Sequence, residues 1–324
     1  MRFESSCHVK RIGAALLVAA AALAAGCTAA APPAISSAAR SESWTFGGSP
    51  GQCLLSEHYR VYTTSENRML LTRLPEFLEA AYQEYCALTG LPAQAGDAKP
   101  MNVYLFAARD QWAMFTRQIT GAQSDVFLQI QNGGYSFRGT GVYWDLGHFA
   151  TYSVAAHEGM HQFLFFRLRD GLPAWADEGL ATQMEGFDIT SNVVRFTPQR
   201  NNSRINSLRG VILSGKWIDL NKLLSTDAGD YVSGVAAPDY YAQLWALVLF
   251  LRSDGRYRQG LERMVSDAAQ GRLREELHVP ARMGAGRQYA RSMGLPVFQR
   301  YISADLPGFQ KQFHDFARKT AQMK

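Results

Sequence analysis

Residues 157–161 read His-Glu-Gly-Met-His. On a helix, positions i and i+4 share a face, so His157 and His161 could present two imidazole nitrogens to one metal ion. Glu158 stands one residue round from His157, placed to reach a water at that ion without being a ligand. Two nitrogen ligands beside a carboxylate base are the equipment of metal-assisted hydrolysis. The neighbours Val154, Ala155, Ala156, Phe163, Leu164, Phe165 and Phe166 predict that this helix is buried. Polar groups on a buried helix need partners, because burying them unpaired costs free energy. The competing reading is a pair of hydrogen-bonded core histidines.

A catalytic zinc site needs a third protein ligand and one open position. Downstream stands Leu172-Pro173-Ala174-Trp175-Ala176-Asp177-Glu178-Gly179-Leu180-Ala181. Gly171 breaks the preceding helix, and Pro173 suits the first turn of the next. A chain that turns back at Asp170-Gly171 packs this helix against the first and brings Glu178 to the metal. Asp177 is the nearest rival and points elsewhere around the helix. Metal-bound imidazoles usually donate their second nitrogen to a carboxylate or carbonyl. Glu185, two turns past Glu178, could serve, or could be a solvated charge at the helix end. His148 reads as a loop residue rather than a ligand, and His58, His278 and His314 have no recognisable partner.

The elements that must position these residues follow from periodicity. Residues 58–63 and 101–107 read as strands, and 66–89 and 109–119 as helices, the first kinked or split at Pro75. The glycine-rich stretch 133–145 reads as a hairpin or edge strand, and strand 140–145 could pair with an extended peptide. From residue 151 onward helical spacing dominates, over 151–169, 173–187, 239–254, 256–270 and 306–321, and strands are hard to find. Strands first and helices afterwards make the fold class α+β.

Ala156-His157-Glu158-Gly159, then Trp175 with Glu178-Gly179-Leu180-Ala181, then Tyr241-Ala242-Gln243-Leu244-Trp245 resemble the gluzincin zinc peptidases, most of all the peptidase MA-like family. The resemblance covers roughly residues 58–254. It implies a small mixed sheet, a zinc-binding helix and a mainly helical C-terminal half. It also implies Zn²⁺ as cofactor, a peptide or protein substrate, and Glu158 as the general base. A tyrosine at Tyr241 would donate to the oxyanion, with Tyr240 as its neighbour and rival; both could equally be packing residues. Sixteen residues separate His161 from Glu178, a shorter spacing than in the similar aminopeptidase N family. The Gly-Ala-Met-Glu-Asn segment that grips a free N-terminus there is absent here. An endopeptidase is therefore expected over an exopeptidase. Two other classes stay open: a cell-envelope binding or assembly domain with a non-catalytic zinc, and hydrolysis of a cell-wall amide.

The 324 residues are 47% hydrophobic and 19% charged, which excludes wholesale disorder. Residues 1–26 hold Arg2, Lys10 and Arg11 ahead of an uninterrupted apolar run, 12–25, too short to span a bilayer but suited to a signal peptide. Leu23-Ala24-Ala25-Gly26-Cys27 resembles the lipobox of bacterial lipoproteins, which implies lipidation at Cys27 and a membrane-anchored, exported protein of the cell envelope. Thr28 after the cysteine, by the same resemblance, suggests the outer membrane. Residues 27–50 read as a flexible tether and 51–324 as one domain. In the exported part, Cys53 and Cys86 could form a disulfide or remain two buried thiols. Without residues 1–26 the chain holds 30 basic against 27 acidic residues with no basic run, so no nucleic-acid partner is expected.

Overall fold

The computed structural model describes residues 40–94, 99–190, 193–231, 236–279 and 287–322. The signal segment 1–26, the lipidation candidate Cys27 and residues 27–39 of the expected tether lie outside the described residues. Residues 40–50 are not tether: they form β1 (Arg40–Phe46) and lead into β2 (Ser49–Leu55), paired antiparallel from Arg40–Leu55 to Phe46–Ser49. Trp44 and Phe46 anchor β1 to an aromatic cluster with Tyr104 and Phe106.

The class is α+β. The strands β3 (Tyr59–Thr63) and β4 (Met101–Phe106) are joined by α1 (Arg68–Leu71) and α2 (Leu74–Thr89). The expected long helix is thus two, divided before Pro75, which sits in the first turn of α2 where its missing N–H costs nothing. After β4 come α3 (Arg109–Thr120), α4 (Ser124–Leu128) and the hairpin β5 (Gly134–Phe137) and β6 (Thr140–Trp144). The six strands form one mixed sheet in the order β1-β2-β3-β4-β6-β5, with β3, β4 and β6 parallel. Strand β6 lies between β4 and β5, so its backbone is already paired on both sides. On this side of the sheet the edge strand among the described residues is β5, which corrects the expectation that 140–145 could receive a peptide.

Side chains alternate across the sheet, so β4 and β6 each supply two cores. Tyr59, Val61, Val103, Leu105 and Tyr143 face the main core with α2 and the helical half. Phe106, Tyr135, Val142 and Trp144 face Trp112 and Phe115 of α3. This alternation separates the two cysteines. Cys53 pairs in register with Tyr62, whose ring stacks on Tyr104 on the α3 face, whereas Cys86 packs on the main core. Both thiols are free, and the expected disulfide is not formed.

The helical half opens with α5 (His148–Arg167) and α6 (Ala174–Gln183). A short hairpin follows, β7 (Phe187–Thr190) and β8 (Val193–Phe196), where helix was expected to run to 187. Then come α7 (Asn202–Ser214), α8 (Leu220–Ser225), α9 (Ala237–Ser253), α10 (Gly255–Gln270), α11 (Leu273–Glu276), α12 (Arg287–Tyr301) and α13 (Leu306–Gln322). Helices α6 and α9 approach closely because residue 179 is glycine: a Cβ there would lie 2.4 Å from Val248 Cγ2. Gln183 Nε2 ties the same pair, donating to the carbonyls of Gly179 and Trp245 at 3.1 Å each. Trp112, Trp175 and Trp245 are fully buried, each large side chain contributing about 1.5–3 kcal/mol of transfer free energy.

Candidate metal centre

Helix α5 is apolar on most of its circumference, and its faces have distinct tasks. Ala155, Ala156 and Phe163 join the main core. Tyr85 Oη donates to the Ala156 carbonyl at 2.8 Å, and it can approach only because residue 159 has no side chain: a Cβ there would sit 2.3 Å from Oη. Val154, Glu158 and Gln162 form the i, i+4 stripe towards β5 and β6. Val154 lies against Gly134, and Gln162 Nε2 donates to the carbonyls of Asn102 and Gly139 at 2.8 and 2.9 Å. Glu158 stands between them, buried. His157 and His161 occupy the remaining face, towards α6 and α9.

Three atoms converge there. His157 Nε2 and His161 Nε2 are 3.2 Å apart, and Glu178 Oε2 lies 3.4 Å from the first and 3.5 Å from the second. A tetrahedral ion with bonds of about 2.0–2.1 Å holds its ligand atoms about 3.3–3.4 Å from one another. The triangle therefore has the size of one face of such a coordination shell. The three side chains are only 12%, 16% and 15% exposed, and Glu178 Oε2 has no hydrogen-bond partner.

The far nitrogens are held by carboxylates. His157 Nδ1 lies 2.9 Å from Glu185 Oε1, and His161 Nδ1 lies 3.0 Å from Asp177 Oδ1. Assigning a proton to each Nδ1 lets both carboxylates accept and leaves lone pairs on both Nε2 atoms. Three electron-rich atoms then face one point, an arrangement that needs a positive charge at its centre, whether protons or a cation. Without a cation, protons take that place. Burial opposes a charged His157, but the Glu178 and Glu185 carboxylates, one beside each ring nitrogen, lift its pKa to about 9. Burial likewise opposes a charged His161, and the Asp177 and Glu178 carboxylates push it well above its usual value. Glu178 is held low, against burial, by the His161 charge and both imidazoles. Glu158 is pushed up by burial, with the two imidazoles pulling the other way.

Glu185 lies beyond the last residue of α6, and α7 supplies its grip. Arg204 Nε and Nη2 donate to its two oxygens at 2.6 Å each, and Asn201 Nδ2 adds a third donor at 3.1 Å. Glu185 is 9% exposed, so the solvated reading does not apply. On α9, the Tyr241 ring stands edge-on to His157 at 6.1 Å between centroids. Its phenol is pushed well up by burial and by the Glu178 and Glu158 charges. Tyr240 is fully buried and stacks on Tyr231, and its hydroxyl has no partner.

The geometry thus brings His157, Glu158, His161, Glu178, Glu185 and Tyr241 together. Asp177, set aside in the sequence as a rival ligand, sits instead behind His161. The adjacency of two acids on one helix was the available signal, since neighbours 100° apart can reach opposite nitrogens of one ring. Asn201 and Arg204 carried no sequence signal. His148 is the first residue of α5, not a loop residue, and packs on Phe149 and Tyr152. His58 has a partner after all: Glu79 accepts from its backbone N–H at 2.8 Å and pairs with Nδ1 at 2.6 Å. Glu57 completes a looser group with that pair, but it is 72% exposed and 4.0 Å from Nε2. His314 stacks on Trp217.

A family model described as "Protein of unknown function (DUF1570)" matches residues 151–272, from the first turn of α5 to just past α10. No curated protein and no solved structure matches the chain. Over α5 to α10, the stretch that contains every residue of the candidate centre, the chain is similar to that family.

Proposed function

We propose that the chain is a Zn²⁺-dependent peptidase with a gluzincin-like site, cutting within peptides more readily than at their ends. The observation that carries this reading is the triangle of His157 Nε2, His161 Nε2 and Glu178 Oε2, with edges of 3.2–3.5 Å, backed by a carboxylate on each Nδ1. Those three residues would hold the ion. When bound, such an ion supplies Lewis-acid polarisation of a carbonyl and a more acidic water.

The chain's own residues supply the rest. Glu158 lies on the β5–β6 side of the histidines, in a buried setting that favours proton uptake. It takes the proton of the attacking water and returns it to the leaving amine. Tyr241 donates to the oxyanion from the α9 side. The β5 edge offers an extended peptide a strand to pair with. It runs beside α5, from Gly134 against Val154 to the turn at Gly139 against Phe165 and Phe166, and so passes the level of both histidines. An N-terminal lipid anchor at Cys27, holding the domain at a cell-envelope membrane face, completes the reading.

Full-length protein incubated with an unbiased peptide library, with and without chelator, tests it. Cleavage should stop with chelator. Glu158→Gln should keep its zinc and lose at least about 100-fold in rate, the usual weight of a general base. Cleavage that ignores chelator, or a Glu158→Gln variant as fast as the parent, contradicts the reading. Retained zinc with no cleavage of any peptide would favour a non-catalytic binding domain.

A further inference from the structure

Arg204 sits where two parts of the site meet. It lies in the first turn of α7, and its own N–H is accepted by Asn201 Oδ1 at 3.2 Å. Its guanidinium forks onto Glu185, and Glu185 Oε1 meets both Arg204 Nη2 at 2.6 Å and His157 Nδ1 at 2.9 Å. The guanidinium lies 5.1 Å from the Tyr241 ring centroid, and that ring stands against His157. Arg204 is 17% exposed. Glu185 follows the end of α6, so helical backbone does not fix its direction.

We propose that Arg204 is a positioning residue that locks the Glu185 carboxylate and, through it, the orientation of the His157 ring towards the cation. This rests on the reading of the site given above. A planar fork matches both oxygens of a carboxylate and leaves its face free to stack on an aromatic ring; a lysine offers one point charge and no fork. Removing the fork leaves a buried carboxylate with the single Asn201 donor and the imidazole, free to rotate. The His157 ring then loses its fixed partner, and with it the direction of Nε2.

The test uses the full chain with Zn²⁺ alone and with Co²⁺ alone. The variants are Arg204→Lys, Arg204→Gln and a control, Arg209→Gln. Arg209 lies on the same helix and donates to the Ala321 carbonyl at 2.7 and 3.1 Å, away from the site. Chelator competition gives the zinc dissociation constant, absorption gives the Co²⁺ ligand field, and the melting midpoint of cation-free protein reports folding. Both Arg204 variants should weaken Zn²⁺ by about 10–100-fold, with Lys the milder, and should change the Co²⁺ spectrum. Arg209→Gln should lower the midpoint and leave affinity and spectrum alone. Parent-like affinity and spectrum in the Arg204 variants overturn this role, as does equal weakening by Arg209→Gln. A parent that binds no Zn²⁺ removes the site itself and this role with it.

Discussion

Asp177 Oδ1 lies 3.0 Å from His161 Nδ1, while the next residue, Glu178, sets Oε2 3.5 Å from Nε2 of the same ring. Two adjacent acids thus grip one imidazole from both ends. Asp177→Asn keeps the shape and removes the charge behind His161. Zinc affinity should fall by about 10–100-fold in chelator competition, with little change in the melting of cation-free protein. Unchanged affinity would mean that the His161 ring is held without this carboxylate.

Protonation of the triangle in chelator-treated protein gives a pH signature. Burial opposes the charged form of His157, but the Glu178 and Glu185 carboxylates beside its ring outweigh it and raise its pKa to about 9. A group raised on folding contributes stability that is complete below its unfolded value, about 6.5, and lost as pH climbs through the folded one. Chelator-treated protein should therefore melt at progressively lower temperature from pH 6.5 to 9. Zinc-loaded protein should not follow, because ligand imidazoles are already neutral and loading releases their protons. Parallel decline of the two forms would contradict the assignment.

Gly159 and Tyr85 should be coupled. A Cβ at 159 meets Tyr85 Oη at 2.3 Å, but the ring carbons behind it only at 3.2–3.4 Å. Gly159→Ala should cost about 1–3 kcal/mol by overpacking. Adding Tyr85→Phe removes the offending oxygen, so the double variant should melt higher than Gly159→Ala alone. A double variant that melts lower still would show that the two act separately.

Cys53 and Cys86 stand on opposite faces of the sheet as free thiols. Alkylation after unfolding without reductant should label both, and reductant should not move the melting midpoint. A peptide linking the two cysteines in a non-reduced digest would contradict this separation.

The strongly periodic segments were legible. The stripes of α2, α5, α9 and α10, and the alternation in β3 and β4, place those elements within a few residues. The convergence of His157, His161 and Glu178 was legible because each carries a distinctive type at helical spacing. Other parts were not. Strand β1 lies in a Ser-rich stretch whose Trp44 and Phe46 are two aromatics without a run. The hairpin β7–β8 has four residues per strand, too short for a periodic signal, and is held by Phe187 and Phe196 packing on Phe77. The position of β6 inside the sheet, and Arg204 behind Glu185, are tertiary facts: each depends on which distant strand or helix lies alongside.

His157, His161 and Glu178 together are proposed to hold one divalent cation. Elemental analysis of the full-length protein, purified without added metal or chelator and then dialysed against Zn²⁺, measures this directly. The parent should retain one equivalent of zinc per chain, and His161→Ala and Glu178→Ala should each lose it while staying folded. A parent without stoichiometric metal, or variants that keep the same equivalent, would contradict the account.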